Sequence, residues 1–188
     1  DTLLQNQIDY DYGNEVIMSR HARVIRGAGG PVLKVGKASY RAVVLPPMIT
    51  LRRSTLNLLR QFRKAGGLVV FAGKPASYLE GRPSNTVEAF VRECRQAVFT
   101  GAALVRAVEK DCRRLSIVDG KGHAIPSALY LLREDGKAFY LFVCNTSHTR
   151  AQLKRSMNAR GDTMVRDRLA AFPEVRIEGF PDCAGQPE

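Results

Sequence analysis

The residues best suited to chemistry stand near the start of the chain, in Ile8-Asp-Tyr-Asp-Tyr-Gly-Asn-Glu15. Asp9, Asp11 and Glu15 could act as general acid/base groups or as metal ligands. They also stand at or near the start of a helix expected over roughly 14–25. Carboxylates there complement the helix dipole and cap free N–H groups, and this structural role is the first reading. His21 lies four residues after Ile17 and three before Val24, the position of a partly buried core histidine. His123 and His148 sit in turn-like contexts, with no cysteine or carboxylate at motif spacing.

The remaining chemical motifs fail on context. Cys94, Cys112, Cys144 and Cys183 form no CxxC or CxC, so no zinc site and no disulfide framework are expected. Cys94 shares a helical stripe with Val87, Phe90 and Val91, and Cys112 with Val105 and Val108, so both read as small buried hydrophobes. Gly27-Ala-Gly-Gly30 lacks the third glycine of a dinucleotide fingerprint, because Val32 stands there, and it precedes a strand instead of opening a helix. No phosphate-binding GxxxxGK[ST] is present. The apolar run Leu68–Ala72 ends in Gly73-Lys-Pro, where a hydrolase-like sheet could present a nucleophile on a tight elbow. No Gly-x-Cys-x-Gly or Gly-x-Ser-x-Gly occurs, and Ser77 lies in no elbow pattern. Asn145-Thr-Ser147 has the form of a glycosylation sequon, and with no signal peptide visible at the start a chance match is expected. No catalytic residue, metal or cofactor is expected.

The elements that must carry these residues follow from periodicity. After the helix over 14–25, Gly27-Ala-Gly-Gly30-Pro31 breaks the chain, and strands are expected at Val32–Val35 and Ala42–Leu45, the second stopped by Pro46-Pro47. A helix with Leu51, Leu58, Leu59 and Phe62 on one face follows, capped by Ser54 or Thr50 and ended by Gly66-Gly67. Leu68–Ala72 is a buried strand and 73–83 a loop. A helix capped by Ser84 or Asn85 runs to about Arg95. A short strand at Ala97–Phe99, a helix over 101–113 and an extended Leu115–Val118 complete this half. Two short apolar strands flanking one amphipathic helix are the signature of a parallel sheet covered on both faces. Farther on, Leu129–Arg133 and Ala138–Cys144 flank Glu134-Asp-Gly-Lys137, a hairpin signal, and Glu174–Gly179 reads as one more strand. The expected domains are therefore residues 1–126, α/β with a parallel sheet, and residues 127–188, antiparallel β.

The chain has 188 residues and 45% hydrophobic content, enough for a core, and no apolar run long enough to cross a membrane as a helix. Its net charge of +11, from 29 Lys+Arg against 18 Asp+Glu, fits nucleic acid, an anionic surface or an acidic partner. The basic residues are spread out, and the densest cluster (Lys154, Arg155, Arg160, Arg166, Arg168) is interrupted by acidic and apolar residues. No helix-turn-helix, zinc-finger or RNA-binding-sheet motif accompanies them, which argues against nucleic acid.

The order Ile8-Asp-Tyr-Asp-Tyr-Gly-Asn-Glu15, Leu33-Lys-Val-Gly36, Tyr40-Arg-Ala-Val-Val-Leu-Pro46, Thr55-Leu-Asn-Leu-Leu59 and Gly66-Gly-Leu-Val-Val-Phe71 resembles a known accessory domain. It is similar to the class I glutamine amidotransferase-like (flavodoxin-like) domain of multidomain bacterial glycoside hydrolases, both the β-galactosidases with a trimerisation domain and the α-L-rhamnosidase-like enzymes. Tyr140–Ser147, Val165–Arg168 and Glu174–Ile177 resemble the β-sandwich that follows in such enzymes. The resemblance implies a three-layer flavodoxin-like parallel sheet followed by a partial β-sandwich. It also implies a non-catalytic role beside an upstream catalytic (β/α)8 barrel, which needs about 250 residues and does not fit in this chain. A piece of a longer protein is one expectation from this, and a trimmed sheet the other. Homo-oligomerisation and indirect service to a carbohydrate substrate are the implied associations. Asp11, Tyr12 and Glu15 are then the candidates for sugar contact, since a carboxylate and a neighbouring aromatic can hydrogen-bond and stack on a pyranose.

Overall fold

The computed structural model describes residues 2–27, 29–135, 138–146 and 171–179. The basic cluster Lys154, Arg155, Arg160, Arg166 and Arg168, the sequon's Ser147, and His148, Cys183 and the 181–188 tail lie outside the described residues. The fold is mixed α/β with parallel and antiparallel sheets. In chain order the elements are α1 (Thr2–Gln5), α2 (Glu15–His21), β1 (Ala22–Gly27), β2 (Gly30–Val35), β3 (Ala38–Tyr40), β4 (Ala42–Leu45) and β5 (Thr50–Leu51). There follow α3 (Arg53–Lys64), β6 (Leu68–Ala72), β7 (Tyr78–Leu79), β8 (Arg82–Pro83), α4 (Thr86–Val91), β9 (Arg95–Ala97) and α5 (Gly101–Cys112). The last are β10 (Ser116–Asp119), β11 (Ala128–Glu134), β12 (Phe139–Asn145) and β13 (Val175–Glu178). Two compact units result: Tyr10–Cys112, and a second that joins Asp1–Asp9 to Arg113–Glu188.

In the Tyr10–Cys112 unit, β4, β6 and β9 form a parallel sheet in that order. The last four residues of β6 are buried, as its continuous apolar run requires. α3 joins β4 to β6 and buries Thr55, Leu56, Leu59 and Phe62, a stripe at one-turn spacing. Two glycines end α3 for different reasons. Gly66 has φ +96°, and a Cβ on Gly67 would stand 2.3 Å from the Phe62 ring. Phe71 and Phe90 meet edge to face at 6.0 Å inside the same core.

Several expected boundaries move. The first helix stops at His21, and Val24 and Ile25 instead pair with Leu33 and Val32 in an antiparallel β1–β2–β3 sheet. A β-branched pair facing a ready partner favours strand over helix, and Gly30 at φ +115° turns the chain between them. His21 is consequently exposed, not a core residue. Leu51 sits in β5, outside α3. Neither Ser54 nor Thr50 caps α3. The Arg53 N–H donates to Glu80 Oε1 at 2.7 Å, and Thr50 Oγ1 accepts from the Gly81 N–H. The 73–83 loop contains the β7–β8 hairpin, turned by Glu80 (φ 54°) and Gly81 (φ 74°). Positive φ at both central residues marks a type I′ hairpin turn. α4 ends at Val91, four residues before the expected Arg95, because Arg95 already pairs with Val70 in β9.

In the second unit, β11 and β12 form the expected antiparallel hairpin. β10 pairs antiparallel with β13, Ile117 facing Ile177. The buried Gln7 ties the N-terminal segment into this unit: Nε2 donates to the carbonyls of Ile117 (2.9 Å) and Ile125 (3.2 Å), and Oε1 accepts from the Ile117 N–H (2.8 Å). The expected boundary between 126 and 127 falls inside this unit, since β10 pairs forward in the chain and Thr2–Asp9 joins from its start. Leu115, Ile117, Ile125 and Ala128 form its small core, with Tyr130, Leu132, Leu141 and Phe172 against it.

Candidate functional site

The segment between α1 and α2, together with the first residue of α2, carries the three sequence-predicted contact residues. Asn14, not a carboxylate, caps α2: its Oδ1 accepts from the N–H groups of Val16 (2.9 Å) and Ile17 (3.0 Å). Glu15 lies in the first turn, where its charge suits the helix dipole. Its Oε1 accepts from the Arg52 N–H at 2.9 Å, just ahead of α3. Asp11 Oδ2 accepts from the Tyr40 hydroxyl at 2.7 Å, which ties the segment to β3. Asp11 and Glu15 thus each bridge to another element, and the capping role expected of them belongs to Asn14.

Tyr12 is the most exposed large apolar residue of this unit, at 90%. Tyr10 supports it. The rings meet edge to face at 5.4 Å, and the two hydroxyls lie 3.3 Å apart. The Tyr10 phenol is held above its usual range, first by that hydrogen bond, then by lost hydration and by the Tyr12 charge. One solvent-facing ring and a carboxylate with a free Oδ1 among the described residues can stack on, and hydrogen-bond to, a flat polar ligand such as a sugar ring. Tyr10 and Tyr40 were missed as site residues. The two-residue spacing of Tyr10 and Tyr12 was the available signal for the first. Tyr40 has no local signal, because its partner lies far back in the chain.

The end of β6 differs in kind. Gly73 has φ +85°, and a Cβ there would lie 2.9 Å from Pro47 Cγ and 3.0 Å from Phe99 Cβ. Its N–H donates to the Ala97 carbonyl at 2.8 Å. A side chain at position 73 would need a left-handed backbone and would press on Pro47 and Phe99, so the position suits glycine. The chain matches no protein-family model, no curated protein and no solved structure.

Other reactive groups are tied locally. Burial pushes the Cys94 thiol up to about 11, against the opposing pull of Arg63. Burial likewise raises the Cys112 thiol, so neither is a ready nucleophile. His123, which has no cysteine or carboxylate at motif spacing, has its Nδ1 3.6 Å from Asp119 Oδ2. Asp119 Oδ1 also accepts from the Lys121 and His123 N–H groups, which makes this pair a turn lock. No group of three or more His, Cys, Asp or Glu among the described residues could hold a metal ion. No described helix is long and apolar enough to cross a membrane.

Proposed function

We propose that this chain is a non-catalytic accessory part of a bacterial glycoside hydrolase whose catalytic barrel lies outside it. In this reading Tyr10–Cys112 is a pared-down flavodoxin-like, amidotransferase-like domain, and the β11–β12 and β10–β13 ribbons open a β-sandwich. The single observation that carries the non-catalytic role is the Gly73 turn. It occupies the strand end where a related enzyme would raise its nucleophile, and Pro47 and Phe99 close it. The domain then serves the barrel by packing beside it or supporting an oligomer, and Tyr12 with Asp11 and Glu15 offers contact to carbohydrate. The coding sequence upstream of the Asp1 codon tests this. An in-phase frame of about 250 residues or more with a barrel pattern is expected. A start codon beside Asp1 with no such frame overturns it.

A second reading, a module for an anionic partner, is favoured by one observation. Residues 10–112 hold 17 Lys+Arg against 7 Asp+Glu, a net +10 of the chain's +11. Salt-sensitive retention on heparin supports this reading, and no retention at low salt removes it.

A further inference from the structure

A depression of about 460 Å³ in the Tyr10–Cys112 unit lies where the N-terminus of α3 meets the β7–β8 hairpin. Leu79, Arg53, Glu80, Arg82, Ser84 and Thr86 line it. The one carboxylate here has a structural task. Glu80 stands in the left-handed region, and its Oε1 accepts the Arg53 N–H, the bond that starts α3. The guanidinium groups of Arg53 and Arg82 have no ion-pair partner among the described residues. Glu80 keeps its charge but pairs with neither of them, so two guanidinium groups stand against one carboxylate in the lining.

The hydroxyls point to the same ligand. Ser84 Oγ accepts from the Thr86 N–H (3.2 Å) and donates its proton to Thr86 Oγ1 (2.9 Å). That donation leaves the Thr86 hydroxyl proton without an acceptor among the described residues. Two cationic forks and one hydroxyl donor therefore border a depression that holds a single carboxylate, a surplus of positive charge. Guanidinium groups pair with oxyanions through paired N–H donors, and such charge-assisted bonds are the strong ones. The wall that Leu79 contributes is apolar and buried, so the anion can be carried on a compact organic body.

We infer that this depression is a binding site for a small oxyanion, a carboxylate or a phosphate group, held by Arg53, Arg82 and Thr86. The inference stands apart from the accessory-domain reading and survives its failure.

Titration of the 188-residue chain with D-glucuronate, inorganic phosphate and D-glucose, followed by calorimetry or amide chemical shifts, tests it. Saturable binding of at least one anion and none of glucose is expected. Glucuronate alone identifies a carboxylate ligand, and phosphate alone a phosphate ligand. Arg82→Gln should weaken the anion about tenfold or more, the worth of one charge-assisted bond. Arg53→Gln should act likewise while keeping the backbone bond to Glu80. Thr86→Val provides a milder loss that leaves both cations in place. Arg60→Gln, on the same helix but outside the depression, should change nothing. No saturation by either anion overturns the inference. An equal loss from Arg60→Gln and Arg82→Gln also overturns it, since that result reports only the diffuse field of a basic unit.

Discussion

The two units solve the problem of being small in opposite ways. Tyr10–Cys112 closes a core around a parallel sheet and spends its surface on charge, at net +10. The second unit is nearly neutral, with 12 Lys+Arg against 11 Asp+Glu over residues 1–9 and 113–188. Among its described residues the core is thin, and one face of its hairpin stays apolar. Tyr130 and Leu132 of β11 and Leu141 of β12 turn to the core. Leu131 opposite Phe142, and Arg133 opposite Tyr140, take the other face, with Phe142 67% and Tyr140 58% exposed. Sheet positions alternate between faces, so a hairpin with apolar residues on both sides has a second face that another layer could cover. The parallel unit packs its own helices on its sheet, whereas among the described residues of the antiparallel unit one side of the hairpin stays apolar and exposed.

The largest effect should come from the closed core. Phe62 is fully buried and fixes the α3–β6 turn against Gly67. Phe62→Ala should cost about 3–5 kcal/mol. Hydrogen exchange reads the units separately, and the faster exchange should appear in β4 and β6. Equal acceleration in β10 and β11 would show that the two units share one cooperative transition.

Gln7→Ala is the matching cut in the second unit. It removes the side-chain acceptor of the Ile117 N–H and the donor to two carbonyls, so about 1–3 kcal/mol should be lost. Protection should fall along β10 and in the Thr2–Asp9 segment. An unchanged β10 would mean that the β10–β13 pairing holds without the N-terminal clamp.

A smaller effect depends on pH. The Asp119 carboxylate is held below its ordinary range, first by the His123 N–H, with the Lys121 N–H adding to this and lost hydration opposing. A depressed folded value adds stability above the ordinary aspartate range, and that contribution disappears as pH falls through the folded value. The Lys121 and His123 amide shifts should therefore move below about pH 4 in the parent chain. They should stay nearly still in Asp119→Asn, which keeps the acceptor and loses the titration.

Local pattern made part of this legible. α3, β4 and β6 follow from a one-turn apolar stripe between two continuous apolar runs, and the β11–β12 hairpin from alternation around Asp-Gly. What stayed hidden depends on distant partners. Val24 and Ile25 look helical until β2 is beside them. Glu80 takes the first N–H of α3, Glu15 the N–H just ahead of it, and Asp11 finds Tyr40 across the unit. Gln7 and the β10–β13 pair join the two ends of the chain, which no sequence window contains. The Asp11, Tyr12 and Glu15 candidates were legible as a group, but their supports were not.

The smallest predicted effects separate two kinds of exposed aromatic. Tyr12 and Phe142 both stand out from their units, yet for different reasons. Tyr12 is braced by Tyr10 and follows Asp11 in the chain, and in the proposed reading its ring meets a ligand. Phe142 faces Leu131 on an open sheet side, which makes it half of a packing layer. In the isolated chain Tyr12→Ser and Phe142→Ser should each change stability by no more than about 0.5 kcal/mol, since neither fills a core. Concentration then tells them apart. Phe142→Ser should reduce any self-association or precipitation of the chain, because it breaks up an apolar patch, and Tyr12→Ser should not. If Phe142→Ser instead lowers stability by more than about 1 kcal/mol at high dilution, its face is already covered within one chain, and the contrast between a closed unit and an open one fails.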